Sequence, residues 1–161
     1  AQPWIDSLSD AERIAFEKYT FNPGDKKPDR FFERLNRMLR GDSPEDETLR
    51  MYAERISGAL KRSPLQHDVI CYRSEAVNLF SNAAVGDVFS RNQFCSTSLV
   101  KTGTLKKKYN IVIYARAGSY AGYVEDLSEF KEQYELLLDK DTLYRVLSVK
   151  DSQTVLEVIL P

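Results

Sequence analysis

Apolar residues recur at helical spacing through the first sixty positions and in short alternating or continuous runs after Asp68. The hydrophobic period therefore changes once along the chain. Ser9 and Glu12 have capping-box spacing ahead of Ile14, Phe16 and Tyr19, which predicts a short helix ended by Asn22-Pro23-Gly24-Asp25. Asp29 is expected to cap a second helix whose stripe is Phe31, Phe32, Leu35, Met38 and Leu39, with Gly41 stopping it after Arg40. Ser43-Pro44-Glu45 predicts a third start, with Leu49, Tyr52, Ile56 and Leu60 on its buried side and Ser63-Pro64 closing it. Strands are expected at Val69–Tyr72, Phe94–Leu99, Ile111–Ala115, Tyr134–Leu138, Leu143–Val149 and Val155–Leu160. Helices followed by strands imply an α+β fold, the N-terminal helices packed on mostly antiparallel sheets. Without repeat, low-complexity tract or linker, residues 1–161 are expected to form one domain.

Composition narrows the function classes. Charged residues make up 29% of the 161 positions but the net charge is −1, so no bulk positive field serves nucleic acid or anionic membrane. No apolar run approaches the ~20 residues of a membrane helix. The chain opens at Ala1 without a signal-like segment, which reads as a mature chain or an excised domain. Cys71 and Cys95 lack metal-ligand spacing and are expected as buried thiols; no metal is expected. His67, the only histidine, falls between helix and strand and reads as a surface residue. Neither common glycine-rich nucleotide loop occurs. Acid–base work therefore falls to carboxylates.

Three stretches carry candidate chemistry. Gln133 and Glu135 lie two apart at the mouth of an apolar run, so on an extended chain they share a face. A solvated strand face is the plain alternative. Arg73 ends a strand, where a guanidinium is either a surface charge or a bidentate grip on a pyrophosphate. Ser96-Thr97-Ser98 is either plain β-propensity or a pair of hydroxyls, Ser96 and Ser98, pointing together to hold a carboxylate. Lys106-Lys107-Lys108 reads as a solvated loop, with phosphate contact the lesser alternative.

Arg73, then Ser96-Thr97-Ser98, then Gln133-Tyr134-Glu135 resembles the ordered Arg, Ser-Thr-Ser, Gln/Glu-x-Glu signature of mono-ADP-ribosyltransferases. The branch it is similar to holds clostridial Rho-modifying exoenzymes, binary-toxin catalytic chains and phage minor-head domains. Tyr19-Thr20 and Leu35-Asn36-Arg37-Met38-Leu39-Arg40 resemble its N-terminal helices, and Gly118-Ser119-Tyr120-Ala121-Gly122-Tyr123 its glycine turn. The resemblance implies NAD held in a cleft between two small sheets. It implies that Arg73 binds the diphosphate with Arg40 assisting, and that Tyr19 packs near the nucleotide. The Ser-Thr-Ser stretch, Thr97 included, would border the NAD site, with Ser96 orienting Glu135. Glu135 would stabilise the oxocarbenium-like state, Gln133 would position the acceptor, and Phe130 would contact the target.

Glutamine two before the catalytic glutamate goes, in that family, with acceptors other than arginine. A neutral amide cannot pair with a guanidinium but can hydrogen-bond an amide or a base edge. The expected acceptor is therefore a host protein such as a small GTPase modified at asparagine. The near-neutral charge makes a guanine in nucleic acid the weaker choice. Secretion or delivery into a host cell is the implied setting. The segment between Ser98 and Ile111 is short and Lys-rich, with Tyr109 its one aromatic. Alternatives left open are an arginine-specific transferase, an NAD glycohydrolase and a non-catalytic module of a phage head protein.

Overall fold

The computed structural model describes residues 2–20, 30–101, 108–124 and 134–161. Among the described residues four helices come first, α1 (Gln2–Asp6), α2 (Asp10–Thr20), α3 (Phe31–Leu39) and α4 (Glu47–Lys61). Eight strands follow: β1 (Val69–Glu75), β2 (Val88–Arg91), β3 (Cys95–Ser98), β4 (Tyr109–Ala115), β5 (Ala121–Tyr123), β6 (Glu135–Leu138), β7 (Thr142–Val149) and β8 (Gln153–Ile159). The α+β order read from the hydrophobic period is the observed one.

The capping box forms as its spacing requires. Glu12 Oε1 accepts from the Ser9 backbone N–H at 2.9 Å, and Ser9 Oγ accepts from Glu12 N–H at 3.1 Å. Glu12 also pairs with Arg62 just beyond α4, so the start of α2 is clamped to the end of α4. Gly41 adopts φ +82°, and the Gly41 and Asp42 amides donate back to the Met38 and Arg37 carbonyls, closing α3.

Two expected helix starts are corrected. Arg30 occupies the cap position of α3 and makes no side-chain cap bond; Asp29 lies outside the described residues. In α4 the cap is Asp46, whose carboxylate accepts from Leu49 N–H at 2.9 Å. Ser43-Pro44 is left outside because a carboxylate three residues later caps the Leu49 amide and favours the positive end of the helix. Asn22-Pro23-Gly24-Asp25 lies outside the described residues.

The strands form one hydrogen-bonded sheet in the order β2-β7-β8-β4-β1-β3-β6-β5. Neighbours are antiparallel except β4 and β8, which run parallel. The two small sheets of the sequence reading are present as two halves, β2-β7-β8-β4-β1 and β3-β6-β5. They are joined through the single pair Tyr72↔Ser98. That narrow junction puts the ends of β1, β3 and β6 side by side.

Strand β6 explains its own continuous apolar run. Leu136 and Leu138 enter a core made largely of strand residues, with Cys71, Cys95, Ile111, Ile113, Tyr144 and Leu156. Leu137 faces the opposite way, into the helix-side core with Phe16, Tyr19, Leu35, Ile56 and Phe94. A strand covered on both faces needs no polar alternation. Both cysteines are buried free thiols, as expected, and burial pushes Cys71 up to about 12.

At the end of β6, Asp139 is only 2% exposed and burial pushes its carboxyl up to about 6, against the pull of Ser57, Lys61 and Lys140. The folded state therefore binds this proton more tightly than the unfolded chain. The stabilisation is full below pH 3.8 and is lost as pH rises through about 6. Asp139→Asn is expected to stabilise the chain by on the order of 2–3 kcal/mol at pH 8, the gap closing near pH 4. Parallel thermal melts across pH measure this; a gap that does not depend on pH would contradict it.

Candidate active site

Helix α3 delivers two side chains to the segment that enters β3. Asn36 and Arg40 are one turn apart and therefore share a face. Asn36 Oδ1 accepts from the Phe94 backbone N–H at 3.1 Å, and Arg40 Nη1 donates to Gln93 Oε1 at 2.7 Å. Arg40 also pairs with Asp42 through Nε at 3.0 Å and remains 43% exposed along its side chain. Its implied place beside an anionic ligand is compatible with that exposure. Asn36 and Gln93 are both buried, and neither was singled out from the sequence. The available signal was the i, i+4 spacing of Asn36 to Arg40.

Tyr19 closes the same corner from α2. Its hydroxyl accepts from Asn36 Nδ2 at 2.8 Å, and its ring meets Phe94 edge-on with centroids 5.7 Å apart. The residue is 2% exposed. Burial pushes its hydroxyl up to about 12, the hydrogen bonds to Asn36 and Ser96 pull it down, and the charges of Glu135 and Arg73 act on it in opposite directions. One phenol thus ties α2 to Asn36 of α3 and to Ser96 of β3. Tyr19 is a buried post beneath the site, with little surface left for a nucleotide to pack on. Tyr19→Phe strips Asn36 and Ser96 of a partner and is expected to cost ~1–3 kcal/mol. Chemical unfolding tests this, and an unchanged midpoint would argue that the hydroxyl bonds little.

Strand β1 brings Arg73 to the junction of the two half-sheets. Its Nη1 donates to the Ser96 carbonyl at 2.9 Å and its Nε to Glu75 Oε1 at 2.7 Å. Burial works against the guanidinium's charge, but Cys95 and Glu75 outweigh it and hold Arg73 above its usual range. Its side chain stays 26% exposed, enough to meet a ligand.

The ladder between β3 and β6 pairs Ser98 with Glu135 and Ser96 with Leu137. Residues opposite one another project to the same side. Ser96, Ser98 and Glu135 therefore share the helix-side face, as the alternation predicted. Ser98, not Ser96, is directly opposite Glu135, and its hydroxyl also bonds both the amide and the carbonyl of Val100. Ser96 is the diagonal neighbour. Thr97 points to the other face, 4% exposed, donating to the Leu136 carbonyl at 2.7 Å. It braces the ladder and does not join the cluster.

The strand expected to start at Tyr134 starts one residue later. Tyr134 has φ +48°, a left-handed conformation rare for a bulky residue, and β6 begins only at Glu135. The two-residue alternation is therefore interrupted just before the glutamate. Gln133, Phe130, Lys106 and Lys107 lie outside the described residues. Tyr109 pairs with Glu75 across β1 and β4, two residues beyond Arg73, with Lys108 over its ring. His67 is exposed, as expected. It borders a hollow of about 180 Å³ with Trp4, Gly122 and Tyr123, which contains none of the clustered side chains. Among the described residues no group of three His, Cys, Asp or Glu is placed to hold a metal, and no helix is long and apolar enough to cross a membrane.

What the junction offers chemically is a cation held on the backbone of β3 and, on the helix-side face, a carboxylate flanked by two hydroxyls. The cation suits a phosphate and the carboxylate suits a sugar hydroxyl or developing positive charge.

Comparison with known proteins agrees with that chemistry. Residues 1–160 match a family model described as ADP-ribosyltransferase exoenzyme. The chain is 25% identical over 155 residues to EFV of Enterococcus faecalis, an NAD(+)–arginine ADP-ribosyltransferase. That match takes in 89% of this chain and 30% of the relative, so the chain spans under a third of that protein's length. The fold resembles Plx2a, an ADP-ribosyltransferase toxin from Paenibacillus larvae, with TM-score 0.82 and 22% identity over 98% of this chain and 90% of that one. It also resembles C3stau2 from S. aureus, solved with NAD, with TM-score 0.79 and 18% identity over 99% and 92% of the two chains.

Proposed function

Since the chain belongs to the ADP-ribosyltransferase exoenzyme family, we propose that it cleaves NAD at the nicotinamide–ribose bond and transfers ADP-ribose to a protein acceptor. The observation carrying this reading is the junction of β1, β3 and β6, where Arg73 grips the Ser96 carbonyl and the Ser96 side chain shares a face with Glu135.

Arg73 takes the NAD diphosphate, its guanidinium held by the Ser96 carbonyl. Arg40, exposed at the end of α3, adds a second cation. The C1′–N bond breaks with its electron pair going to the nicotinamide ring, which leaves neutral. Positive charge then builds on the ribose. Glu135 holds a ribose hydroxyl and stabilises that charge, as carboxylates do in glycoside hydrolysis. Ser96 and Ser98, on the same face, keep the carboxylate aligned. Gln133 positions the incoming nitrogen, which bonds to C1′ and loses its proton to water.

The acceptor follows from Gln133, whose amide complements another amide better than a guanidinium. An asparagine on a Rho-type GTPase is the first choice, in the setting of a toxin or effector delivered to a host cell. The E. faecalis relative, an NAD(+)–arginine ADP-ribosyltransferase, favours arginine as the second reading. Incubation with labelled NAD and either a Rho-type GTPase or the small guanidine agmatine separates them. Labelled GTPase with unlabelled agmatine supports the first reading, and labelled agmatine overturns it.

A further inference from the structure

Glu75 has no part in the chemistry above, yet its carboxylate pairs directly with Arg73. Its Oε1 lies 2.7 Å from Arg73 Nε and 3.6 Å from Arg91 Nη1, so one carboxylate oxygen is shared by two guanidinium groups. The three side chains are 26%, 16% and 16% exposed, so this is a partly desolvated cluster at the end of β1 and not a surface pair. Arg73 is held on two sides, by Glu75 at Nε and by the Ser96 carbonyl at Nη1. An arginine pinned at both places has its guanidinium plane set before any ligand arrives.

Charge and geometry make opposite demands at this point. A carboxylate beside a phosphate-binding arginine weakens anion binding by Coulomb repulsion. Orientation strengthens it, because a misplaced guanidinium loses its bidentate grip. Arg91 settles the balance. By sharing the same oxygen, it leaves the trio with a net positive charge of one, so the orienting carboxylate does not make the site repel an anion.

We propose that Glu75 is a positioning residue for NAD: it fixes the Arg73 guanidinium in the plane that receives the diphosphate, and Arg91 offsets its charge. The proposal rests on the reading of Arg73 as the diphosphate ligand.

Three variants test it, Glu75→Gln, Glu75→Asp and Arg73→Ala, each checked by thermal melting, NAD calorimetry and initial rates of nicotinamide release. Glu75→Gln is expected to raise both Kd and KM for NAD about tenfold or more, with kcat within about twofold. Glu75→Asp keeps the charge but withdraws it by one methylene, and should show the same KM-specific loss. A carboxylate acting only as a counter-charge predicts the reverse, with Glu75→Asp like wild type and NAD binding in Glu75→Gln unchanged or tighter. That result, with Arg73→Ala still weakening NAD, overturns the role of Glu75 alone. NAD binding untouched by Arg73→Ala overturns the diphosphate reading beneath it. Should Glu75→Gln fail to fold, Glu75→Asp decides between orientation and charge by itself.

Discussion

Glu135→Gln is expected to lower nicotinamide release by ~10²–10³-fold, about 3–4 kcal/mol of transition-state stabilisation, while NAD still binds. The substitution is nearly isosteric and keeps a hydrogen-bonding head. It removes only the negative charge that opposes positive charge on the departing ribose. Glu135 opens β6 and is anchored through its carbonyl, which accepts from Val124 N–H at 3.1 Å. That anchor involves the backbone and survives the substitution. The melting temperature should accordingly hold within about a degree or two. The loss should appear in kcat far more than in KM, because the lost interaction strengthens as the bond breaks. A loss confined to KM would recast Glu135 as a binding group.

The largest stability effect is expected from the far side of the helical layer. Trp4 is 7% exposed, donates from Nε1 to the Ala59 carbonyl at 2.8 Å and meets Phe16 edge-on at 5.4 Å. Gly122 on β5 is shaped around it, since a Cβ there would lie 2.6 Å from Trp4 Cη2 and 3.0 Å from Leu60 Cδ2. One indole thus joins α1, α2, α4 and the edge of the sheet. Trp4→Ala should cost ~3–5 kcal/mol through lost burial and the cavity left behind. It should lower the melting temperature by roughly 6–20 °C. Gly122→Ala provokes the converse fault, overpacking against the same ring, at ~1–3 kcal/mol. Denaturant unfolding of both variants measures the pair, and a loss below ~1 kcal/mol for Trp4→Ala would show that the N-terminal helix docks weakly.

The residues that announce the chemistry were legible because each is tied to a short local pattern. The capping box of Ser9 and Glu12 forms, the Leu136–Leu138 run is a doubly covered strand, and Ser96 and Ser98 share a face with Glu135. What escaped the sequence depends on contacts between distant segments. Asn36 and Gln93 look like surface amides until α3 is laid against the entry to β3. Glu75 and Arg91 are 16 positions apart and become partners only through the fold. β2 and β5 are too short to declare themselves, at four and three residues. The left-handed Tyr134 carries no glycine or asparagine signal, so an extended Tyr134 was the natural expectation and the wrong one. Helix starts failed for a simpler reason. Ser43 and Asp46 are both good caps, and the one that carries a charge suited to the helix start is used.

The central claim is that the Arg73–Ser96–Glu135 junction cleaves NAD. Nicotinamide release from NAD by the wild-type chain, followed as a function of NAD concentration, tests it most directly. Saturable release that is lost in Glu135→Gln at unchanged melting temperature is the predicted result. Saturable NAD binding with no release, alone or with host lysate supplying acceptors, would contradict it.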